Sequence, residues 1–246
     1  MKQLVAYITA GFPDINFCED AALSLKENGV DILELGVPFS DPVADGPVIE
    51  LANLKALQNG FKMEHLFEIS KRVGSKIDTF WMGYFNPFYH KGMDYFAAQA
   101  IKNSVCGFII PDLPHEEAKS YKNLLENMGL ELIDFIAPTH SQDRIKKIAT
   151  NSRRFIYLVA YAGITGSGKD EDLSKIVNEI RLYSETPIYI GFGVNEKTAK
   201  EKAKNVDGVI VGSAFVNVLL DDSLTAKAKI AKISTLARTI KGLINE

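Results

Sequence analysis

Eight short apolar runs punctuate the chain, most of them ending at or just before Gly, Pro or Asp: Leu4–Ala10, Ile32–Gly36, Ile77–Tyr84, Cys106–Asp112, Leu130–Ala137, Phe155–Tyr161, Pro187–Gly193 and Gly208–Ala214. Between them, apolar residues recur every three or four positions, as in Cys18–Asn28, Val48–Asn59, Glu64–Val73, Tyr95–Asn103, Glu117–Met128 and Leu173–Ser184. A last such stretch, Leu224–Ile244, follows the eighth run. The short runs predict strands and the spaced stretches predict helices. LVAYITA, CGFIIPD and GVIVGSA are nearly continuous in apolar character, as expected of parallel strands buried on both faces. Glycines after helical stretches, at Gly29 and Gly129, supply the left-handed conformation that ends a helix. Eight β–α units predict an α/β protein, a single (β/α)8 TIM barrel occupying residues 1–246 as one domain. A doubly wound open sheet has the same alternation and is the alternative.

The length supports the barrel, since 246 residues is close to the ~250 typical of that fold. Composition removes several function classes. The net charge is −3 and no run of five like charges occurs, which argues against nucleic acid as a partner. Two cysteines, Cys18 and Cys106, cannot build a disulfide framework and form no C-x-x-C motif, so a reducing compartment is expected. The apolar stretch before Gly11 is too short for a signal peptide. No run approaches the ~20 apolar residues that span a bilayer. These features predict a cytoplasmic location and no membrane partner.

Chemistry in a barrel sits on the loops at the C-terminal ends of the strands. The densest candidate is ILELGVPFSDPVADGP, Ile32–Pro47. Glu34 lies inside an apolar strand, a costly place for a carboxylate that is neither paired nor open to a cavity. Asp45 follows on a loop stiffened by three prolines. Burial would raise the pKa of Glu34 toward the range useful for proton transfer. The alternatives are structural: Glu34 bonded to backbone N–H groups, and Asp45 capping a helix near Pro47. A second candidate is the pair of glycine turns at the ends of strands seven and eight, Gly191 to Gly193 and Gly212 to Ala214. Barrels often bind phosphate there, on backbone N–H groups and a helix N-terminus.

Gly163 to Lys169 reads GITGSGK and fits a P-loop as a string. Asp170 stands where that motif needs Ser or Thr for magnesium, and the strand before it is sixth, so a closing lid is the better reading. His65, His90, His115 and His140 show no zinc spacing, and no metal is expected. His115 and His140 follow strands four and five and are expected to be exposed loop residues. No nucleophile elbow is present.

LELGVPFSDPVADGP resembles the signature of the tryptophan synthase alpha subunit family. YITAGFP (Tyr7–Pro13), MGYFNP (Met82–Pro87), GFIIPDLP (Gly107–Pro114), YLVAYAGITG (Tyr157–Gly166), GFGV (Gly191–Val194) and VGSA (Val211–Ala214) agree in order and spacing. The resemblance implies retro-aldol cleavage of indole-3-glycerol phosphate to indole and glyceraldehyde 3-phosphate, with no cofactor in this chain. It assigns Glu34 as the general acid/base that protonates the indole ring carbon. Asp45 would hydrogen-bond the indole N–H. Tyr157 would lie near the glycerol chain, and Thr165 would orient Asp45 from the lid. Gly166, Gly193, Gly212 and Ser213 would bind phosphate. Phe192 and Tyr84 would line the indole pocket.

The implied partner is a beta subunit carrying pyridoxal phosphate, in an α2β2 heterotetramer, facing Pro38–Pro47, the region from Lys91 and the lid. Three departures from the family pattern stand out. The usual N-terminal helix is expected to be absent or very short. Trp81 replaces an aliphatic residue and either narrows the pocket or faces the helices. The lid reads Gly166 to Lys169 as GSGK where Ala-Arg commonly follows the Gly. Two other readings compete. One is a different phosphate-binding barrel isomerase or synthase, and the other is a silent barrel that only activates a beta subunit.

Overall fold

In a computed structural model, which describes residues 1–159 and 173–246, the apolar runs form one parallel sheet. Its strands are β1 (Gln3–Thr9), β2 (Ile32–Gly36), β3 (Asp78–Met82), β4 (Gly107–Ile109), β5 (Glu131–Leu132), β6 (Asp134–Ile136), β7 (Ile156–Val159), β8 (Ile188–Gly191) and β9 (Gly208–Val211). The order across the sheet is β5-β4-β3-β2-β1-β9-β8-β7-β6. Its two edges, β5 and β6, are separated in sequence by Ile133 alone, so the sheet closes on itself as a barrel.

The nine strands are eight wall positions. The expected fifth strand, Leu130–Ala137, changes partner midway. Glu131 and Leu132 pair with β4, while Asp134 to Ile136 pair with β7. Ile133 donates its N–H to the Phe108 carbonyl. This is where the barrel closes, and the tilt of the strands lets one segment serve two neighbours at different heights.

Side chains alternate across the wall. Val5, Ile32, Phe80, Phe155, Tyr189 and Ile210 point inward and form a core of their own. The Phe155 and Tyr189 rings stack at 4.6 Å, and Phe80 meets Phe155 edge-on at 5.7 Å. These rings fill the lower half of the barrel. Leu4, Leu33, Leu35, Trp81 and Phe108 point outward into a larger core shared with the helices. Trp81 therefore faces the helices and not the pocket. Its indole N–H donates to the Ser70 hydroxyl at 2.8 Å, and its ring packs against Phe67 and Phe108.

Helix starts follow local chemistry. Asp14 accepts the Phe17 N–H ahead of Ile15–Glu27, and Thr225 accepts the Ala228 N–H ahead of Ala226–Leu243. Most of the other helices start without such a cap, and two of these border the site. Pro47–Gln58 and Ser213–Leu220 begin at Gly46 and Gly212 with no side-chain cap. Among the described residues no helix is long and apolar enough to cross a membrane.

Candidate active site

A cavity of about 550 Å³ opens at the C-terminal ends of the strands. Seven of the ten residues expected at the site line it: Glu34, Asp45, Tyr157, Phe192, Gly193, Gly212 and Ser213. Thr165 and Gly166 lie outside the described residues, as does the whole GITGSGK segment.

Glu34 sits mid-strand on β2 and points inward between Tyr7 and Phe80, its register partners on β1 and β3. It is 2% exposed, and its Oε1 has no hydrogen-bond partner among the described residues. A carboxylate satisfied by backbone N–H groups would look different. Burial first, and the nearby Asp45 charge second, push the Glu34 carboxyl up to about 8.

Asp45 is not a helix cap, since the Pro47–Gln58 helix starts at Gly46 without side-chain help. Its Oδ2 instead accepts a hydrogen bond from Asn53 Nδ2 at 3.1 Å, and the Tyr84 hydroxyl also bonds to it. Tyr84 accepts the Ala44 N–H at 2.9 Å and stacks on Phe39. Tyr84 thus braces the loop and is not among the residues lining the cavity. Burial raises Asp45 to about 6, and the bonds from Asn53 and Tyr84 hold it down against Glu50.

Two tyrosines frame the carboxylates. A β-carbon on Gly36 would fall 2.1 Å from the Tyr7 hydroxyl, and one on Gly191 would fall 2.5 Å from the Tyr157 hydroxyl. Glycine at these strand positions makes room for both phenols. Burial, together with the charges of Glu34 and Asp45, raises both phenol pKa values well above normal, so both hydroxyls stay protonated at neutral pH. Tyr157 stacks on Phe135 at 4.8 Å and meets Phe192 edge-on at 6.4 Å.

The far end of the cavity suits an anion. After β8 the chain takes two successive left-handed residues, Phe192 (φ 74°) and Gly193 (φ 69°). After β9, Gly212 leads into the uncapped Ser213–Leu220 helix, whose first N–H groups and positive dipole end point toward the cavity mouth. Because β8 pairs with β9, the two turns lie side by side. Lys197 and Lys232 also line this end.

Tyr7 and Asn53 escaped the reading of the sequence. Tyr7 carried a signal, since it alternates with Val5 on the inward face of β1. Asn53 carried only the oddity of an amide on the apolar face of a helix. His115 differs from expectation. It is the first residue of the His115–Asn127 helix, and its Nδ1 lies 3.1 Å from Asp134 Oδ1. Lys122 at 2.5 Å and Ser152 at 2.9 Å bind the other oxygen of that buried carboxylate. The pairing draws His115 away from solvent and places it outside the cavity.

The family profile described as tryptophan synthase alpha chain matches residues 1–245. The tryptophan synthase alpha chain of Wolinella succinogenes is 56% identical over 246 residues, covering all of this chain and 96% of the relative. That of Dehalococcoides mccartyi is 41% identical, covering 98% and 94%. Among solved structures, tryptophan synthase from M. tuberculosis superposes with a TM-score of 0.89 at 30% identity, over 100% of this chain and 93% of that one. The tryptophan synthase subunit alpha from Campylobacter jejuni gives 0.86 at 33% identity, over 96% and 95%. The chain belongs to the tryptophan synthase alpha chain family.

Proposed function

We propose that this chain, acting as a single domain over residues 1–246, cleaves indole-3-glycerol phosphate to indole and glyceraldehyde 3-phosphate. The observation that carries the reading is a pair of carboxyls in one cavity whose surroundings push them to different pKa values, about 8 for Glu34 and about 6 for Asp45. At neutral pH the first is an acid and the second an anion. Divergent environments of this kind divide acid from base between like groups.

The roles follow from that division. Glu34 donates its proton to the indole ring carbon that bears the glycerol chain. The ring becomes an indoleninium cation, and Asp45 faces its N–H and offsets the charge. The carboxylate left on Glu34 then takes the proton from the adjacent chain hydroxyl. As that C–O becomes a carbonyl, the carbon–carbon bond breaks and its electron pair restores the indole. Glu34 ends protonated, so the cycle needs no other proton source. Tyr157 and Phe192 border the reacting carbon, and Gly193, Gly212 and Ser213 hold the phosphate. Thr165 and Gly166, which lie outside the described residues, complete the assignment by resemblance to the family alone. Phosphate binding remote from the broken bond supplies affinity that fixes the reacting geometry.

We assign the indole to a beta subunit that carries pyridoxal phosphate, in an α2β2 assembly in the cytoplasm. Supporting this, Val43, Leu51, Leu54 and Tyr89 are exposed apolar residues on the segments that follow β2 and β3. Exposed apolar clusters mark docking faces. The test of the chemistry is Glu34→Gln. It should cut indole release by about 10²–10⁴-fold, the usual worth of a general acid. A variant that still releases indole at the parent rate would show that Glu34 is not the general acid and that the mechanism above is wrong.

A further inference from the structure

Asn53 lies in the second turn of the Pro47–Gln58 helix, on its buried face between Ala52 and Ala56, and is 2% exposed. An amide in a helix interior is a poor helix former, and burying one costs more unless both its ends are bonded. Here one end is not. Nδ2 donates to Asp45 Oδ2 at 3.1 Å, while Oδ1 is buried with no partner among the described residues. An apolar residue would pack this face at lower cost. The amide's contact is with the carboxylate.

The groups facing Asp45 explain why a donor is needed. Glu34 comes from β2 and Glu50 from the first turn of the helix, while Tyr7, Tyr157 and Tyr84 come from β1, β7 and the segment after β3. Two of these are carboxyls and three are phenols. Among the described residues no cation is a source of the Asp45 shift, and only Asn53 and Tyr84 act to keep it ionised. Tyr84 is tied to the loop through the Ala44 N–H, whereas Asn53 is fixed to a helix. The loop carboxylate is thereby pinned to a rigid element, with Oδ2 turned to the helix.

We propose that Asn53 is a positioning residue for the reaction: its amide holds Asp45 ionised and aimed at the substrate ring nitrogen. The inference rests on the reading of Asp45 given above.

Two measurements test this. In the first, Asn53→Leu removes the bond at similar volume, and kcat/KM for indole release is followed against pH. The acid limb should move up by about one pH unit, the size expected when a carboxylate loses a hydrogen bond. Activity near pH 6 should fall about fivefold as a result. Inhibition by glyceraldehyde 3-phosphate should change less than about twofold, since Asn53 does not line the phosphate end. A folded Asn53→Leu protein with an unmoved acid limb overturns the proposal.

The second measurement needs no Asn53 variant. In the full wild-type chain, the Asn53 side-chain amide resonances should titrate with an inflection near pH 6, and the inflection should vanish in Asp45→Asn. Its absence in wild type also overturns the proposal. Full activity in Asp45→Asn, with the wild-type inflection intact, would overturn the role of Asp45 rather than the contact.

Discussion

At the scale of single residues, the site keeps a carboxyl where the fold gains nothing from it. Free Glu34 titrates near 4.5, and in the folded chain it is raised to about 8. Between those values the unfolded chain has lost the proton that the folded chain still holds. Stability therefore falls as pH rises through this window, and the full penalty remains above pH 8. Glu34→Gln should thus lose most of its activity yet be more stable than wild type at pH 8.5, by on the order of 5 kcal/mol, and nearly equal to it at pH 4. Urea unfolding at the two pH values checks this. Equal stability of the two proteins at both would show that Glu34 is not held neutral by burial. Glu34 was legible in the sequence because a carboxylate inside ILELG breaks an apolar pattern. Asn53 was not, because its partner lies eight positions earlier, on a loop whose course only the fold sets.

At the scale of elements, the apolar runs marked every wall position, but several overshot at the C-terminal end. Pro187–Gly193 contains β8 and then Phe192 and Gly193, and Gly208–Ala214 contains β9 and then Gly212 and Ser213. In both cases the extra residues build the site. Apolar and glycine content there lines the cavity, which pattern alone does not separate from wall packing. The reverse failure is the Leu130–Ala137 run, whose division into β5 and β6 depends on barrel closure and has no local signal. The Phe85–Lys91 and Ala199–Lys202 helices are too short to show a period.

Two predictions belong at this scale. Gly193 has φ 69°, and a β-carbon there would touch only Lys202 at 3.5 Å, so space is available but the left-handed backbone disfavours alanine by ~1–2 kcal/mol. If the turn shifts to relieve that cost, Gly193→Ala should raise KM for the phosphorylated substrate about tenfold and leave kcat within about threefold. Steady-state kinetics decide it, and an unchanged KM would remove Gly193 from the phosphate site. Trp81→Phe should do the opposite. It loses the bond to Ser70 and part of a buried ring, costing ~1–3 kcal/mol of stability. Indole release should be unaffected at temperatures where the variant is folded. A large kcat change would mean that Trp81 reaches the pocket.

At the scale of the whole molecule, an overall charge of −3 accompanies a proposed phosphate end built mainly from backbone. Two glycine turns and one uncapped helix start supply that end, with Lys197 and Lys232 at its margin. An anionic substrate therefore needs no basic surface. The exposed apolar residues on the segments that follow β2 and β3 are the other global feature. Adding a tryptophan synthase beta subunit should raise the rate of indole release. Leu54, half exposed on the Pro47–Gln58 helix, lies outside the cavity lining. Leu54→Glu should leave the basal rate intact and weaken the activation by at least about tenfold in beta-subunit affinity. Titration of the beta subunit against indole release measures both. Unaltered activation would place the docking face elsewhere.

The division of labour between the two carboxyls is tested most directly by the pH dependence of kcat/KM for indole release by the chain alone. The account predicts a bell. The acid limb, near pH 6, belongs to Asp45, which must be ionised, and the alkaline limb, near pH 8, to Glu34, which must be protonated. Asp45→Asn should lose the acid limb together with most of the rate. A profile that stays flat from pH 5 to pH 9, or one whose limbs survive in the Glu34 and Asp45 variants, would contradict it.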